Sequence, residues 1–199
     1  MECLLQEMRE IVLDTETTGL RPSDGHRVIE IAAIEIIDFL PTGKTYQQYI
    51  NPERDVPETS FKVHGLSYDF LKDKPLFDKI ANEFIEFIGD ATIIAHNVDF
   101  DLGFLNYELN MCGRESIKNN KIDTKLLATD IIQHFLRHAV RDGFFHADMH
   151  QGNLFVNKDG SITAVDFGIM GRLDKNNRKY LAKILYGFIK RDYKKIAEV

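Results

Sequence analysis

The sequence predicts an α/β fold in which helices flank a mixed β-sheet, followed by a helix-rich part that contains a β-hairpin. Alternating apolar residues within residues 9–50 predict adjacent strands. A strand that runs directly into a helix at residues 91–111 predicts a mixed sheet covered by helices. Apolar runs on either side of Asp159 and Gly160 predict the hairpin.

The predicted sheet begins as an antiparallel meander of three strands. These strands occupy residues 9–14, 27–38 and 45–50, and turn-forming residues separate the first two. Alternation in the second strand places four side chains on one face: Ile29, Ile31, Ala33 and Glu35.

Helical and strand-like segments follow along the rest of the chain. Apolar residues at helical spacing predict a helix over residues 75–88, which Gly89 ends. A buried strand is predicted at residues 91–96. The remaining predicted elements are a helix at 99–111, a strand end near Ile122, a long helix at 124–141, a hairpin at 154–165 and two helices at 176–190 and 192–198.

Charge is distributed unevenly along the chain. Residues 1–129 contain 13 Lys and Arg against 23 Asp and Glu, a balance of −10, whereas residues 130–199 contain 12 against 8, a balance of +4. This asymmetry indicates two domains of different origin, at 1–129 and 130–199. The acidic first part disfavours tracking along duplex DNA, which needs a basic surface, but is compatible with holding one strand end through metal ions.

The sequence offers no membrane segment and no disulfide framework. It nowhere approaches the roughly 18 uninterrupted apolar residues of a membrane span, and its first residues have no basic flank before an apolar run. We therefore expect a cytoplasmic protein. Cys3 and Cys112 lack metal-ligand spacing and are expected to be reduced, structural thiols.

Three acidic residues are the candidate metal ligands. Asp14 and Glu16 stand at the end of the first strand, where alternation turns both toward the same face. Asp101 lies in the first turn of the helix that follows the buried strand. Clustered carboxylates repel one another unless cations neutralise them, and hard oxygen ligands suit Mg²⁺ or Mn²⁺. Taken alone, Asp14 and Glu16 also fit a solvated turn.

Several segments of the first part resemble a known family. Residues 11–20 (Ile-Val-Leu-Asp-Thr-Glu-Thr-Thr-Gly-Leu) and residues 96–109 resemble the first and second motifs of the DEDD superfamily of 3′ to 5′ exonucleases. Segments at 63–66, 70–75 and 122–124 extend the resemblance to the epsilon proofreading subunits of bacterial DNA polymerase III. The resemblance covers residues 9–128.

That resemblance implies a ribonuclease H-like fold and hydrolysis of a single-stranded 3′ DNA end with two Mg²⁺ or Mn²⁺ ions. It implies that Asp14, Glu16 and Asp101 are the catalytic metal ligands. By the same resemblance His64 contacts the terminal nucleotide, and Glu58 is a second, weaker contact. It also implies the DNA polymerase III core as partner, and a proofreading role in DNA replication.

The same family requires a third motif, in which a histidine that serves as general base is followed five residues later by an aspartate. No histidine after Asp101 has an aspartate at that distance. His138 and Asp142, four residues apart on a predicted helix, come nearest, although such a pair is usually just solvated. Loss of a positioned base lowers rates by roughly 10²- to 10⁴-fold, so the domain is expected to be incomplete and its activity impaired.

A different resemblance begins near residue 130. Residues 143–156 and 165–168 resemble the catalytic loop and the Asp-Phe-Gly segment of the C-terminal lobe of UbiB-like atypical kinases. Asp148, Asn153 and Asp166 occupy the positions that serve catalysis and Mg²⁺ binding in the kinase template. The phosphate-covering loop and the strand lysine of an N-terminal lobe do not occur upstream, so kinase activity is not expected.

Three functional hypotheses follow from these patterns. The first is a metal-dependent 3′ to 5′ DNA exonuclease of the proofreading type. The second is a catalytically inactive fusion of two incomplete domains, each exposing apolar surface that its missing part would cover. The third is a nucleotide- or partner-binding module that uses the kinase-like segment.

Overall fold

A computed structural model describes residues 8–38, 40–157 and 161–197. The chain divides into two compact units, one ending at Lys125 and the other beginning at Leu126. The domain boundary predicted from charge and resemblance, between residues 129 and 130, lies a few residues further along the chain. Each unit is described by itself.

The first unit is built on a five-stranded mixed sheet. Its strands are β1 (Arg9–Thr17), β2 (Val28–Ile37), β3 (Leu40–Tyr49), β4 (Thr92–Ala95) and β5 (Lys121–Asp123). Their order in the sheet is β3-β2-β1-β4-β5. The first three strands are antiparallel neighbours, as the meander predicts, while β4 runs parallel to β1 and β5 parallel to β4. The predicted mixed sheet is therefore confirmed.

Burial along β2 follows the predicted alternation. The four side chains assigned to one face are all buried: Ile29, Ile31, Ala33 and Glu35. The third strand begins at Leu40, earlier than the predicted residue 45. β3 is an edge strand, and an edge tolerates Pro41 because one side of the strand needs no ladder hydrogen bond from the missing N–H.

Four helices accompany this sheet: α1 (Glu58–His64), α2 (Tyr68–Leu71), α3 (Phe77–Ile88) and α4 (Val98–Met111). A 3-10 turn, Pro22–Asp24, lies in the connection between β1 and β2. The sequence predicts α3 and α4 to within two residues, since each is long enough to show helical periodicity. It does not predict α1 and α2, which are too short to repeat an apolar pattern.

The helices α3 and α4 supply the large side chains of the core, including Phe77, Phe84 and Phe104. They pack with the apolar residues of β1, β2 and β4 in a single buried cluster. Because α4 follows β4 directly and β4 pairs with β1, the first turn of α4 is brought to the carboxyl end of β1.

The second unit combines helices with two small strand pairs. Its elements are α5 (Thr124–Leu136, which starts just before the division), a π-helix (Arg137–Asp142), β6 (Phe144–His146), a 3-10 turn (Gln151–Asn153), β7 (Leu154–Val156), β8 (Ile162–Ala164), β9 (Met170–Arg172), α6 (Lys175–Lys190) and α7 (Tyr193–Ala197). β6 pairs with β9, and β7 pairs with β8 as the predicted hairpin. The predicted hairpin tip at Asp159 and Gly160 lies outside the described residues.

The long helix predicted over residues 124–141 changes character near its end. Its last turns, Arg137–Asp142, form a π-helix that Gly143 ends in the left-handed region at φ 71°. A Cβ added to Gly143 would lie 2.6 Å from the carbonyl oxygen of Leu173, so glycine is needed there for close packing as well as for backbone conformation.

Burial differs sharply between the two units. Among the described residues from Leu126 onward, Ala139 is the one hydrophobic residue that is fully buried. Large apolar side chains remain exposed there, among them Ile189 at 78%, Phe167 at 60% and Tyr193 at 62%. No helix within the described ranges is both long and apolar enough to cross a bilayer.

Glu35 is a buried carboxylate that connects two strands with the end of a helix. Its side chain is 2% exposed and accepts hydrogen bonds from Arg9 Nε at 2.7 Å and Thr42 Oγ1 at 2.8 Å. Arg9 also donates to the carbonyl oxygens of Phe87 and Ile88 at the end of α3. The bonds from Arg9 and Thr42 lower the pKa of Glu35 to about 2.

We predict that Glu35→Gln lowers the free energy of unfolding at neutral pH by about 1–3 kcal/mol, because Arg9 loses a buried charged acceptor. The folded-state pKa is depressed, so the stabilisation by the carboxylate is present above the ordinary value of 4.5 and is lost as the pH falls toward about 2. Urea unfolding at neutral pH and at about pH 3 measures the difference, which should shrink in acid. Glu86→Gln, at an exposed site on α3, is the control.

Candidate functional site

The three candidate acids lie near the carboxyl end of β1. In the parallel register, Glu10 pairs with Thr92 and Val12 with Ile94. β1 continues beyond Val12 to Thr17 without a partner in β4. Asp14 and Glu16 lie on this extension, and Asp101 lies in the first turn of α4. The start of α4 is fixed by Asp123 of β5, whose carboxylate accepts the backbone N–H of Val98 at 3.1 Å.

A buried hydrogen bond joins α4 to β1 at this point. Thr15 Oγ1 donates to Asp101 Oδ1 at 2.7 Å, and the two residues are only 7% and 4% exposed. Thr15 lies between Asp14 and Glu16, and alternation directs its side chain to the opposite face of the strand from theirs. The shared face of Asp14 and Glu16 stays a prediction of strand alternation, while Asp101 contacts β1 through the residue between them.

Charges of neighbouring acids act on Glu16 and Asp101. Burial raises the pKa of Glu16 above its ordinary value, and the charges of Asp14, Glu30 and Asp101 raise it further. Burial also raises the pKa of Asp101, the Thr15 hydrogen bond lowers it, and the charge of Asp14 raises it. Neighbouring carboxylates repel one another, and a bound cation would reduce that repulsion.

The acids do not form a ready coordination sphere. No group of three or more His, Cys, Asp or Glu side chains in the described part of the chain is arranged to hold a metal ion. The donor set itself fits Mg²⁺ or Mn²⁺, because carboxylate oxygens are the ligands that hard cations prefer. The assignment of Asp14, Glu16 and Asp101 as metal ligands therefore stays a prediction.

Glu30 is a site residue that the sequence does not reveal. It lies directly opposite Glu16 in the antiparallel register of β1 and β2. Its charge helps to raise the pKa of Glu16 and partly opposes the lowering of the pKa of His64 by burial. Gln47 of β3 donates to its carboxylate at 2.7 Å. The only signal for its position is strand register, which composition and motif spacing do not contain.

A cleft of about 730 Å³ lies beside the acids. One wall is formed by the end of β1 and the following loop, and the other by α1. Its lining residues are Thr15, Glu16, Thr17, Thr18, Gly19, Leu20, Arg21, Asp24, His26, Pro57, Thr59, Ser60, Val63, His64 and Phe100. The cleft therefore joins one candidate metal ligand, Glu16, to the predicted nucleotide contact, His64.

His64 is held in the cleft with one ring nitrogen unpaired. It is the last residue of α1, and its Nδ1 accepts the backbone N–H of Leu66 at 3.0 Å. A ring that accepts at Nδ1 carries its proton on Nε2, and Nε2 is buried without a protein partner. Burial lowers the pKa of His64, which favours the neutral ring. His64 thus has a free N–H donor.

Glu58, the second predicted contact, lies at the start of α1. Its side chain is 79% exposed and pairs with Lys62 one helical turn later, at 2.7 Å. It is not among the described residues that line the cleft. Its role as a substrate contact stays a prediction.

The kinase-like residues are gathered by hydrogen bonds within the second unit. Asn153 Nδ2 donates to the carbonyl oxygen of Asp148 at 3.0 Å, and the Val165 N–H donates to the carbonyl oxygen of Asn153 at 2.9 Å. His146 Nε2 lies 3.0 Å from the carbonyl oxygen of Val165, next to Asp166. Asp166 adopts a left-handed backbone conformation at φ 54°. The predicted catalytic loop and Asp-Phe-Gly segment are therefore adjacent.

His138 and Asp142 lie in the π-helix rather than on a regular helical face. The Asp142 carboxylate accepts two hydrogen bonds from Arg141, at 2.7 and 2.8 Å. Both residues line a cleft of about 790 Å³ in the second unit, together with aromatic side chains that include Phe135 and Phe145.

Comparison with known protein families gives two overlapping matches. The exonuclease family model matches residues 11–150, more than half of the chain. The model of the ABC1 atypical kinase-like domain matches residues 109–199. The two matches share residues 109–150, so they overlap across the predicted boundary between residues 129 and 130.

Among curated relatives, DNA polymerase III subunit epsilon of Rickettsia typhi is 55% identical over 128 residues, which make up 62% of this chain and 56% of the relative. The subunit of the same name from Escherichia coli is 42% identical over 116 residues, 56% of this chain and 48% of the relative. The chain spans about half the length of the curated relatives that it matches.

Solved structures share the fold. Exonuclease I of E. coli, in complex with a dT13 oligonucleotide, aligns with a TM-score of 0.57 at 18% identity, over 78% of this chain and 33% of that one. At this level of identity the likeness shows the fold alone. It confirms the predicted α/β, ribonuclease H-like class.

We predict that Thr15→Val lowers the free energy of unfolding by about 1–3 kcal/mol, because the buried Asp101 carboxylate loses its hydrogen-bond donor while side-chain volume is kept. Thr15→Ser retains the hydroxyl and is expected to lose less than half as much. Urea denaturation monitored by circular dichroism compares the two variants with wild type. A loss in Thr15→Ser as large as that in Thr15→Val, or no loss in Thr15→Val, would contradict a dominant role for the hydroxyl.

Proposed function

The chain belongs to the exonuclease family, and from this premise we propose that its first unit binds a single-stranded 3′ DNA end and hydrolyses the terminal phosphodiester bond. The observation that carries the proposal is the cleft in which Glu16 and His64 lie together beside Asp14 and Asp101. An open groove with polar groups at one end suits an unpaired strand whose reacting phosphate sits beside the acids.

Apolar residues in the cleft support a nucleotide as the ligand. Leu20 and Val63 line it from opposite walls, and each is 81% exposed. Bases present apolar faces that pack on such side chains without regard to sequence. His64 lines the same cleft and is the proposed contact to the terminal nucleotide. Its Nε2–H has no partner among the described residues but is closed off from the cleft, so this contact requires the ring to turn outward.

We propose that Asp14, Glu16 and Asp101 hold the divalent cations that the reaction requires. When bound, Mg²⁺ or Mn²⁺ supplies the positive charge that promotes attack by water and stabilises the leaving 3′ oxygen. The chain itself contributes a fixed position for Asp101, which is buried and held by Thr15. Because the pKa values of Glu16 and Asp101 are raised, protons compete with cations for this site at higher pH than for ordinary carboxyl groups.

Turnover is expected to be slow. The histidine and aspartate of the third family motif are not found at their spacing anywhere after Asp101. A missing general base lowers the rate by roughly 10²- to 10⁴-fold. The relatives named DNA polymerase III subunit epsilon suggest a polymerase core as partner, and with it a cytoplasmic place in DNA replication.

We predict that the purified full chain releases mononucleotides from a single-stranded oligonucleotide with a free 3′ end in the presence of Mn²⁺. Asp14→Ala should lower the rate roughly 100-fold or more, because a metal ligand is lost. Denaturing gel electrophoresis of the labelled strand measures the release.

Asp99→Asn is the matched control for this assay. Asp99 lies in the same first turn of α4 as Asp101, but its side chain is 73% exposed and pairs with Lys121. Its removal should leave the rate within about twofold, since a surface ion pair contributes little. Equal release by wild type and Asp14→Ala would refute the exonuclease proposal and favour an inactive fusion.

A second candidate function rests on the kinase-like segment. We propose that Asp148, Asn153 and Asp166 bind a nucleotide together with Mg²⁺, because the loops that carry them are hydrogen-bonded to each other. In the kinase template these positions provide the catalytic aspartate and the metal ligands. The ABC1 kinase-like match supports this assignment over the later part of the chain.

For this second candidate we predict Mg²⁺-dependent binding of ATP that Asp166→Asn weakens by about tenfold or more, since a metal-binding charge is removed. Isothermal titration calorimetry of the full chain with ATP measures the affinity. Asp99→Asn again provides a charge-matched control. Binding that persists without Mg²⁺, or in Asp166→Asn, would contradict the kinase-like site.

A further inference from the structure

His26 is a second histidine of the cleft that neither the motifs nor the proposed mechanism uses. It follows the 3-10 turn in the loop between β1 and β2 and lies among the lining residues. Its ring rests on the backbone of Gly19, where an added Cβ would meet three ring atoms at 2.3 to 2.4 Å. Only glycine at position 19 permits this placement of the ring.

Hydrogen bonds assign the proton of the His26 ring. Thr18 Oγ1 accepts the backbone N–H of Arg27 at 3.0 Å and lies 3.2 Å from His26 Nδ1. Thr18 is fully buried, so its hydroxyl proton needs a protein acceptor, and among the described contacts of Oγ1 that acceptor is His26 Nδ1, because the other contact is the donor N–H of Arg27. A neutral ring that accepts at Nδ1 carries its own proton on Nε2, so His26 presents an N–H donor.

The hydroxyl that orients His26 is itself held from several sides. The Thr18 N–H donates to the Arg27 carbonyl at 2.9 Å, and the Ser60 hydroxyl of α1 donates to the Thr18 carbonyl at 2.9 Å. The Arg27 guanidinium makes two hydrogen bonds of 2.8 Å to buried Glu108 of α4. The donor is therefore fixed relative to both cleft walls before any ligand binds.

We propose that the Nε2–H of His26 binds a non-bridging phosphate oxygen of the DNA strand in the cleft. This inference rests on the proposed function and adds a DNA-binding residue to it. Within the described residues His26 Nε2 has no acceptor, and such a donor suits a phosphate, which offers only acceptors. Arg21 lies on the same wall, beside the acid Asp24, and its guanidinium is a second donor group suited to a phosphate.

Two substitutions distinguish the contribution of the N–H donor from that of the ring shape. His26→Phe keeps a flat ring over Gly19 but has no N–H, whereas His26→Gln places an amide N–H close to the position of Nε2. The test is the fluorescence anisotropy of a fluorescein-labelled oligothymidylate with a free 3′ hydroxyl, titrated with the full chain. Ca²⁺ replaces the catalytic ion so that the strand is bound but not cleaved. His26→Phe should raise Kd about tenfold, as expected for one lost hydrogen bond, and His26→Gln should stay within about threefold.

The outcomes distinguish this inference from the proposed function. If wild type binds the strand and His26→Phe binds equally well, the role of His26 is refuted while the nuclease proposal stands. If His26→Gln weakens binding as much as His26→Phe, the ring is structural and the inference also fails. Absence of binding by wild type overturns both. Circular dichroism verifies folding, and His26→Leu replaces His26→Phe should the latter unfold.

Discussion

The hydrogen bond from Thr15 to Asp101 is the contact on which the site depends. It is buried, it links residues far apart in sequence, and it joins the strand that carries Asp14 and Glu16 to the helix that carries the third acid. A carboxylate as buried as Asp101 would otherwise be strongly driven to the neutral form. The bond offsets part of that burial, so the charge of Asp101 and the position of α4 are determined together.

Buried acids serve two opposite purposes in the first unit. Glu35 pairs with Arg9, which also binds the carbonyl oxygen of Ile88 at the end of α3. Glu108 of α4 pairs with Arg27, which precedes β2. The two pairs therefore connect α3 and α4 to the sheet. The pKa of Glu35 is correspondingly low, whereas burial and neighbouring like charges raise the pKa of Glu16. Glu35 is thus an acid whose charge is compensated by partners in the fold, whereas the like charges around Glu16 form the setting that a bound cation would relieve.

Periodicity predicts the meander, β4, α3 and α4, because each of these elements buries a repeating apolar face. It does not predict α1, which buries none of its residues and is positioned by capping at Gly65 and by the Ser60 contact to Thr18. The motifs predict which acids belong to the site, but not the pairing of Glu30 with Glu16 or the orientation of His26. Those depend on strand register and on loop hydrogen bonds, which leave no periodic trace.

The second unit is stabilised differently from the first. Its loops satisfy their polar groups locally, as with Asn153 and His146, yet it gathers almost no buried apolar side chains within the described residues. Hydrophobic burial is the main favourable term in folding, so local hydrogen bonds alone contribute little net stability. Side chains such as Phe188 and Ile189 on α6 remain exposed instead of joining a core. The first unit has its own core and its own cleft, and it is there that the chemistry of this chain is best supported.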